Sequence, residues 1–336
     1  MKLLLTRFTP LLSATLFFLS CTKNNIQPIA PLLPSFTSST SSDVKVMSNI
    51  IYAININWLG HKQALGLDIY FPVKEIEVSK FPLIVYFHGG GYVTGTKEMT
   101  KEQCNILASK GFIVASVDYR TGWTQDPVNQ CESDETEAVE AFYRAQQDGR
   151  AALRFLVANA DEYSINTDWI FVAGQSAGAS ISLAVVYETQ DTINYYLPGI
   201  AEKLGLLNSA GNTLKDKYNI KGIGSLWGGI EFSLNIITPE NATPTILFHG
   251  MLDEVVPWNI GYVFGCNNFP ENFGSKQIYS RLISYGVPAV AHIDPNGGHG
   301  IYTDRFNMES LGCFFGSIMR NSPQKGYYTT KVSNCK

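Results

Sequence analysis

The sequence has 336 residues, of which 45% are hydrophobic, 12% aromatic and 16% charged. That balance excludes a chain that is mainly disordered, because disordered chains combine low hydrophobicity with high charge. The net charge is −4, from 25 Lys and Arg against 29 Asp and Glu. No basic run long enough to bind nucleic acid is present, so no nucleic acid is expected as a partner.

The N-terminus predicts a signal peptide over residues 1–20. Lys2 and Arg7 precede an apolar run over Leu11–Leu19. The run is too short to cross a bilayer, since a spanning helix needs about 20 apolar residues. A charged start followed by a short apolar run is typical of a secretory signal.

The end of this run resembles the lipobox of bacterial lipoproteins. Phe18-Leu19-Ser20-Cys21 places a small residue before a Cys, whose sulfur takes a diacylglyceryl group after cleavage. We therefore predict lipidation at Cys21 and, over 21–48, a flexible tether rich in Pro, Ser and Thr. The protein is then expected outside the cytoplasm, in the periplasm or at the cell surface, with a lipid anchor as its only membrane contact. Ordinary secretory cleavage is the alternative.

Residues 49–336 alternate short β-branched runs with helical patterns, as expected of a mostly parallel sheet with helices on both faces. The first two strands alternate in hydrophobicity and are expected to pair as an antiparallel hairpin. The eight predicted strands are Ile50–Trp58, Ala64–Phe71, Leu83–Phe87, Ile113–Val117, Trp169–Ala173, Gly222–Leu226, Thr245–Phe248 and Ala289–Ile293. The predicted helices are Glu98–Lys110, Glu137–Asn159, Ser176–Glu188, Ser275–Tyr285 and Asp304–Met319.

Residues 191–220 interrupt this alternation. They follow a predicted helix, precede a predicted strand and contain enough apolar residues to form helices of their own. That position favours a small lid over the working edge of the sheet. A surface excursion without a covering role is the alternative.

Five cysteines follow Cys21, an odd number for an oxidising compartment, so at least one is expected to stay free. We predict a disulfide between Cys104 and Cys131 and a second pair drawn from the remaining three. Five buried, reduced thiols are the alternative. The other three cysteines are Cys266, Cys313 and Cys335.

A glycine run, His88-Gly89-Gly90-Gly91, follows the third predicted strand. Consecutive glycines let backbone N–H groups approach a substrate oxygen closely. Together with the N–H of Ala177, those of Gly90 and Gly91 are predicted to form an oxyanion hole. A glycine-rich turn without a binding role is the alternative.

The sequence contains one GxSxG motif, Gly174-Gln175-Ser176-Ala177-Gly178. A buried strand precedes it and a helix of small residues follows. The strand, tight turn and helix are the context in which this motif presents a nucleophilic serine. The glycines are needed because the turn strains the backbone at Ser176 and brings strand and helix close together.

These two motifs, in this order, resemble those of α/β-hydrolases of the HGGG-type carboxylesterase and lipase group. The hormone-sensitive-lipase-like and carbohydrate-esterase-like families are the most similar. The resemblance covers residues 70–319. It implies an α/β-hydrolase fold, with an eight-stranded, mostly parallel sheet and helices on both faces. It also implies a catalytic Ser-His-Asp triad whose nucleophile here is Ser176.

The same resemblance points to the other two triad members. These hydrolases carry their histidine in a loop past the last strand, where Asn296-Gly297-Gly298-His299-Gly300 lies. His292, inside the last predicted strand, is the rival base. The segment after the strand Thr245–Phe248 resembles the family's acid loop at Asp253, and the adjacent Glu254 remains the alternative acid.

The resemblance implies a serine carboxylic-ester hydrolase. Ser176, deprotonated by His299, would attack an ester carbonyl to give an acyl-enzyme that water hydrolyses. The expected partner is a small-molecule or polysaccharide-linked ester, either short-chain or carbohydrate-linked. The alternatives are a lipase on longer acyl chains, a serine peptidase of the same fold and an inactive binding module of that fold. The resemblance implies no metal or organic cofactor, and the sequence predicts no oligomeric state.

Overall fold

The computed structural model describes residues 44–72 and 79–335. The predicted signal peptide, Cys21 and nearly all of the predicted tether lie outside these residues. The described residues form strands β1 (Lys45–Ile56), β2 (Lys62–Phe71), β3 (Phe81–Phe87), β4 (Ile113–Val117), β5 (Ile165–Gln175), β6 (Ile220–Leu226), β7 (Ile230–Glu231), β8 (Thr245–Gly250), β9 (Ile260–Tyr262), β10 (Glu271–Phe273), β11 (Ala289–Asp294) and β12 (Gly326–Tyr328). Their α-helices are α1 (Lys101–Ala108), α2 (Glu135–Ala158), α3 (Ala177–Tyr187), α4 (Gln190–Tyr196), α5 (Ile200–Leu204), α6 (Ser275–Ser284) and α7 (Asp304–Met319).

The main sheet has nine strands in the order β1-β2-β4-β3-β5-β6-β8-β11-β12. β1 and β2 form the predicted antiparallel hairpin, and β2 also runs antiparallel to β4. Every other neighbouring pair in this sheet is parallel. All eight predicted strands are confirmed. The ninth, β12, is a three-residue strand along β11 that is too short to give a hydrophobic period.

Five strands start earlier than predicted, and the difference is four residues or more in two of them, β1 and β5. β1 begins at Lys45, and its first five residues are exposed, so no alternation of burial marks them in the sequence. β5 begins at Ile165, before its buried stretch at Ile170. Strand ends that leave the core carry little hydrophobic signal, and sequence patterns therefore miss them.

Helices cover both faces of the main sheet, as predicted. Side chains of α2, α3 and α6 pack into one hydrophobic cluster, and those of α1 and α7 pack into another. All five predicted helices are confirmed. Among the described residues, no helix is both long and apolar enough to cross a membrane.

The segment predicted as a lid, residues 191–220, contains most of α4 and all of α5 and lies along α2. Tyr143 of α2 donates a hydrogen bond to Gly205 O at 2.7 Å, and Gln147 of α2 donates one to Leu204 O at 2.9 Å. Ile193 and other apolar residues of the segment pack against Tyr143. The helices of this segment were expected, and its role as a lid stays a prediction.

The described residues contain two disulfides, Cys131–Cys266 and Cys313–Cys335. The predicted Cys104–Cys131 bond is wrong, because Cys104 is buried on α1 in the core, whereas Cys131 lies in the exposed loop before α2. The expectation of a second pair within the remaining three cysteines is confirmed by Cys313–Cys335. Among the described cysteines the free thiol is Cys104, and burial raises its pKa to about 12.

Candidate active site

The turn at Ser176 joins the carboxyl end of β5 to the start of α3. Ser176 has φ 53° and ψ −125°, a backbone conformation that L-residues rarely adopt. The two glycines of the turn are required because a side chain would not fit. A Cβ at Gly178 would lie 2.1 Å from Phe87 O, and one at Gly174 would lie 2.4 Å from the backbone of Gly178. The strand, turn and helix therefore fix the Ser176 side chain at the edge of the sheet.

Ser176, His299 and Asp253 form a chain of hydrogen bonds. Ser176 Oγ lies 2.8 Å from His299 Nε2, and His299 Nδ1 lies 2.9 Å from Asp253 Oδ2 and 3.1 Å from Oδ1. In neutral His299 the Nδ1–H donates to the carboxylate, which leaves Nε2 free to accept the Ser176 hydroxyl proton. Asp253 follows β8 and His299 follows β11, so three strand ends bring the residues together.

The Asp253 carboxylate is inaccessible to solvent and receives several hydrogen bonds. Val255 N and Val256 N donate to its Oδ1 at 2.9 and 3.0 Å. A second histidine, His249, places its Nε2 3.2 Å from Oδ2. Although burial by itself would raise the pKa of Asp253, the hydrogen bonds from His249 and His299 hold it well below its usual value. The Asp253 carboxylate is therefore negatively charged and held in a fixed orientation toward His299.

The glycine run lies against the Ser176 turn. A Cβ at Gly89 would lie 3.3 Å from Ser176 Cβ. Gly90 and Gly91 have φ values of 118° and 59°, in the region that favours glycine. Trp123 Nε1 donates to Gly91 O at 2.8 Å and so fixes the loop.

Three backbone N–H groups near Ser176 remain available as donors. Within the described part of the chain, no hydrogen bond uses the N–H of Gly90 or Gly91. Ala177 is the first residue of α3, where an N–H has no partner inside the helix. These are the donors that the sequence predicted for an oxyanion hole, and the helix N-terminus adds a favourable dipole for negative charge.

The rival residues lie away from this arrangement. His292 is buried, with its ring stacked between Phe248 and Tyr328 at centroid distances of 5.0 and 5.1 Å. Burial lowers the pKa of His292 to about 4. Glu254 is exposed on the outside of the loop that buries Asp253.

A cavity of about 70 Å³ adjoins Ser176. Apolar residues of three separate regions form most of its wall, including Tyr92, Phe142 and Val256. Among the described residues, none of 191–220 lines it, so the segment predicted as a lid does not form its wall. The outer wall comes instead from residues 263–272, next to the Cys131–Cys266 disulfide.

Sequence reasoning missed three polar residues of this site. His249 lies near the end of β8, four residues before Asp253, and its ring reaches the Asp253 carboxylate. Glu231 and Asn272 line the cavity from β7 and β10, two very short strands without a hydrophobic period. Among the residues that the structure describes, no three His, Cys, Asp or Glu side chains cluster as a metal site would require.

Sequence comparisons relate the chain to known esterases. A BD-FAE family profile matches residues 67–234, which is half of the chain. Esterase LipI of Mycobacterium tuberculosis is 30% identical over 38% of this chain and 35% of its own length. Human arylacetamide deacetylase-like 2 is 24% identical over 67% of this chain and 56% of its own. The matched regions thus span about a third to a half of these relatives.

Structural comparisons show the fold. A truncated carbohydrate esterase from gut microbiota aligns with a TM-score of 0.57 at 19% identity, covering 82% of this chain and 96% of that structure. The apo form of Thermogutta terrifontis esterase 2 aligns with a TM-score of 0.54 at 15% identity, covering 85% of this chain and 97% of its own. Together with the mostly parallel sheet, these likenesses confirm the predicted α/β-hydrolase fold.

Proposed function

The chain belongs to the BD-FAE family, and from that membership and the geometry at Ser176 we propose that it is a serine carboxylic-ester hydrolase. The observation that carries the proposal is the continuous hydrogen-bonded chain from Ser176 Oγ through the His299 ring to the buried Asp253 carboxylate. Esterases among its relatives support the same reaction class.

The first half of the proposed reaction forms an acyl-enzyme. Ser176 Oγ attacks the ester carbonyl carbon while His299 Nε2 takes the hydroxyl proton. Asp253 stabilises the resulting imidazolium and keeps its Nδ1–H directed at the carboxylate. His299 then returns the proton to the departing alcohol oxygen as the C–O bond breaks.

The oxyanion that develops on the carbonyl oxygen is stabilised by the N–H groups of Gly90, Gly91 and Ala177. Each donor of this kind typically contributes about 3–4 kcal/mol to the transition state. In the second half, a water molecule gives its proton to His299 and attacks the acyl carbon. The acid is released and the Ser176 hydroxyl is restored.

The experiment that tests the proposal is hydrolysis of p-nitrophenyl butyrate by the purified protein, by Ser176→Ala and by His299→Ala. Each substitution is expected to lower kcat about 10⁴–10⁶-fold. The exposed residues Ser322 and His61 provide matched controls, Ser322→Ala and His61→Ala, which are expected to keep full activity. Activity that survives Ser176→Ala would refute the proposal.

Covalent labelling gives a second readout that does not need a good substrate. Thermogutta terrifontis esterase 2 is phosphorylated by paraoxon. If Ser176 is the nucleophile, paraoxon is expected to add one diethylphosphoryl group to this protein, visible by intact-mass spectrometry, and none to Ser176→Ala. Labelling of Ser176→Ala to the same extent would point to another nucleophile.

For the substrate we propose a short acyl group, including one carried on a carbohydrate. The cavity beside Ser176 holds about 70 Å³. An apolar cavity of about 150 Å³ binds benzene, and in the same measure one water molecule needs about 10–15 Å³. The activity on p-nitrophenyl esters is therefore expected to peak at acetate to butyrate and to fall steeply by octanoate. A maximum at palmitate would favour the lipase alternative.

For location we propose a lipid-anchored protein outside the cytoplasm, held at Cys21. The two disulfides support an oxidising compartment. In a bacterial host, the wild-type protein is expected in the membrane fraction and Cys21→Ser in the soluble fraction. The same distribution of both proteins between the two fractions would contradict a lipid anchor at Cys21.

A further inference from the structure

A polar pair interrupts the apolar wall of the cavity at Ser176. Asn272 of β10 and Glu231 of β7 lie directly opposite each other in the antiparallel ladder of the small sheet β7-β10-β9. Both side chains line the cavity. Opposite residues in such a ladder have Cβ atoms about 4.5–5.5 Å apart, so the two groups form one polar feature.

The Asn272 side chain is buried without a partner. The residue is 1% exposed, and neither its Oδ1 nor its Nδ2 makes a hydrogen bond within the described part of the chain. Its Oδ1 also packs against Gly229, where a Cβ would lie 2.0 Å away. Buried amides are nearly always hydrogen-bonded in folded proteins. A ligand in the cavity could therefore supply the hydrogen bonds that the Asn272 amide lacks.

Glu231 complements this amide when its carboxyl is protonated. Burial, and next to it the nearby Glu188 carboxylate, raise the pKa of Glu231 well above its usual value. A protonated carboxyl offers one O–H donor and one carbonyl acceptor. Together Asn272 and Glu231 can donate to and accept from a neutral hydroxyl group.

The cavity lies on the acyl side of the reaction centre. The alcohol oxygen must lie next to His299, because His299 protonates it on departure. Among the described residues that line the cavity are Gly91 and Ala177, which carry the oxyanion donors, whereas His299 is absent from the lining. The acyl group, which stays bound to Ser176, is therefore the part of the substrate that fills this space.

We propose that Asn272 and Glu231 are specificity residues that bind a hydroxyl group on a short acyl chain, as in a hydroxyacetyl ester. The inference rests on the proposed ester hydrolysis at Ser176 and names the acyl class for that site. A hydrocarbon acyl group of the same size would leave the Asn272 amide unpaired. Sites built to hydrogen-bond a substrate hydroxyl discriminate strongly against analogues that lack it.

Two esters of equal size test this discrimination. Ethyl glycolate and ethyl propionate differ by a hydroxyl in place of a methyl group, and a pH-stat follows the hydrolysis of both. Their rates with hydroxide ion give the ratio of intrinsic reactivities. We expect the glycolate-to-propionate ratio of kcat/KM for the wild-type protein to exceed that intrinsic ratio about 10–100-fold. Equality of the two ratios would overturn the inference without any variant.

Variants then assign the discrimination to the pair. Asn272→Leu, similar in shape but apolar, is expected to bring the ratio to within about threefold of the intrinsic one. The loss in kcat/KM is expected on ethyl glycolate rather than on ethyl propionate. Asn219→Leu makes the same chemical change on an exposed residue that does not line the cavity, and this matched control is expected to preserve the wild-type ratio. An unchanged excess in a folded Asn272→Leu, judged by its thermal unfolding, would overturn the assignment.

The failures of the two proposals are distinguishable. Suppose that p-nitrophenyl butyrate is hydrolysed through Ser176 but the glycolate-to-propionate ratio does not exceed the intrinsic ratio. The proposed ester hydrolysis then stands, and the proposed acyl class is wrong. If no ester is hydrolysed and paraoxon labels nothing, the proposed function itself is refuted, and the inference with it.

Discussion

The reaction centre and the outer wall of its cavity are built in different ways. Ser176, Asp253 and His299 each lie just past a strand of one nearly parallel sheet, whose carboxyl ends meet at one edge. The outer wall, residues 263–272, ends in β10, which pairs with β9 and β7, and is joined by Cys266 to Cys131. The first region follows a general rule of open α/β sheets, whereas the second is built from short strands, loops and a disulfide.

This difference separates what the two regions do. The sheet edge holds three side chains in a fixed relation because its strands are buried on both faces. The wall is made of short strands and loops, so its residues can change without disturbing the sheet. Chemistry is expected to depend on the first region and choice of acyl group on the second.

The acid at the sheet edge is expected to be more sensitive to substitution than any part of the cavity wall. Asp253→Asn keeps the shape of the side chain but removes its charge and presents an amide to His299. The imidazole is then no longer held in the tautomer that accepts the Ser176 proton. We expect kcat for p-nitrophenyl butyrate to fall about 10⁴-fold.

Glu254→Gln is the matched control, because it makes the same chemical change on the exposed neighbouring residue. Its kcat is expected to stay within twofold of wild type. A large loss in Glu254→Gln with little loss in Asp253→Asn would reverse the assignment of the acid. It would also mean that the buried Asp253 carboxylate is not part of the reaction centre.

The sequence predicts the sheet edge well because each of its parts has a local signature. The motif around Ser176 lies between a buried strand and a small-residue helix, and the glycine run follows another buried strand. Long apolar strands such as Leu83–Phe87 are visible from hydrophobicity alone. The contacts that assemble these parts follow from the rule that parallel strands share one edge.

The polar pair of the cavity, Asn272 and Glu231, is not predictable in this way. Asn272 and Glu231 lie in strands of three and two residues, too short for any period, and they face each other across 40 residues of chain. The disulfide prediction failed for a related reason. Pairing requires the Cα atoms of two cysteines to lie within about 7 Å, and only the folded chain brings Cys131 to Cys266, at 5.1 Å.

The two disulfides offer a test of the wall with an internal control. Cys131–Cys266 closes 135 residues and Cys313–Cys335 closes 22. The chain-entropy relation predicts losses of about 5 and about 3 kcal/mol in the free energy of unfolding for the paired Cys→Ser substitutions. Urea unfolding measures both.

Enzyme kinetics distinguish the roles of the two disulfides. Without the Cys131–Cys266 disulfide, residues 263–272 are no longer tied to the loop before α2. We expect KM for short esters to rise several-fold, with a smaller change in kcat. Removing Cys313–Cys335, which ties α7 to the C-terminal segment away from the cavity, is expected to leave KM unchanged. Equal effects on KM would contradict the view that the disulfide supports the wall.

The smallest expected effect concerns His292, the base that the sequence offered as a rival to His299. Because burial lowers the folded pKa of His292 to about 4, from an ordinary value of 6.5, the unfolded chain takes up the proton first as the pH falls. Stability is therefore lost on going down from about pH 6.5 to about pH 4. Linkage gives a loss of about 2 kcal/mol between pH 8 and pH 5 from this residue.

His292→Phe removes that proton uptake while leaving an aromatic ring between Phe248 and Tyr328. The fall in unfolding free energy from pH 8 to pH 5 should be about 2 kcal/mol smaller than in the wild type, measured by urea titration at both values. Its kcat should match the wild type, in contrast to His299→Ala. The same pH-dependent loss in both proteins would mean that folded His292 titrates normally. A collapse of kcat would instead place His292 in the reaction centre, which would then extend beyond the three strand ends that the local motifs mark.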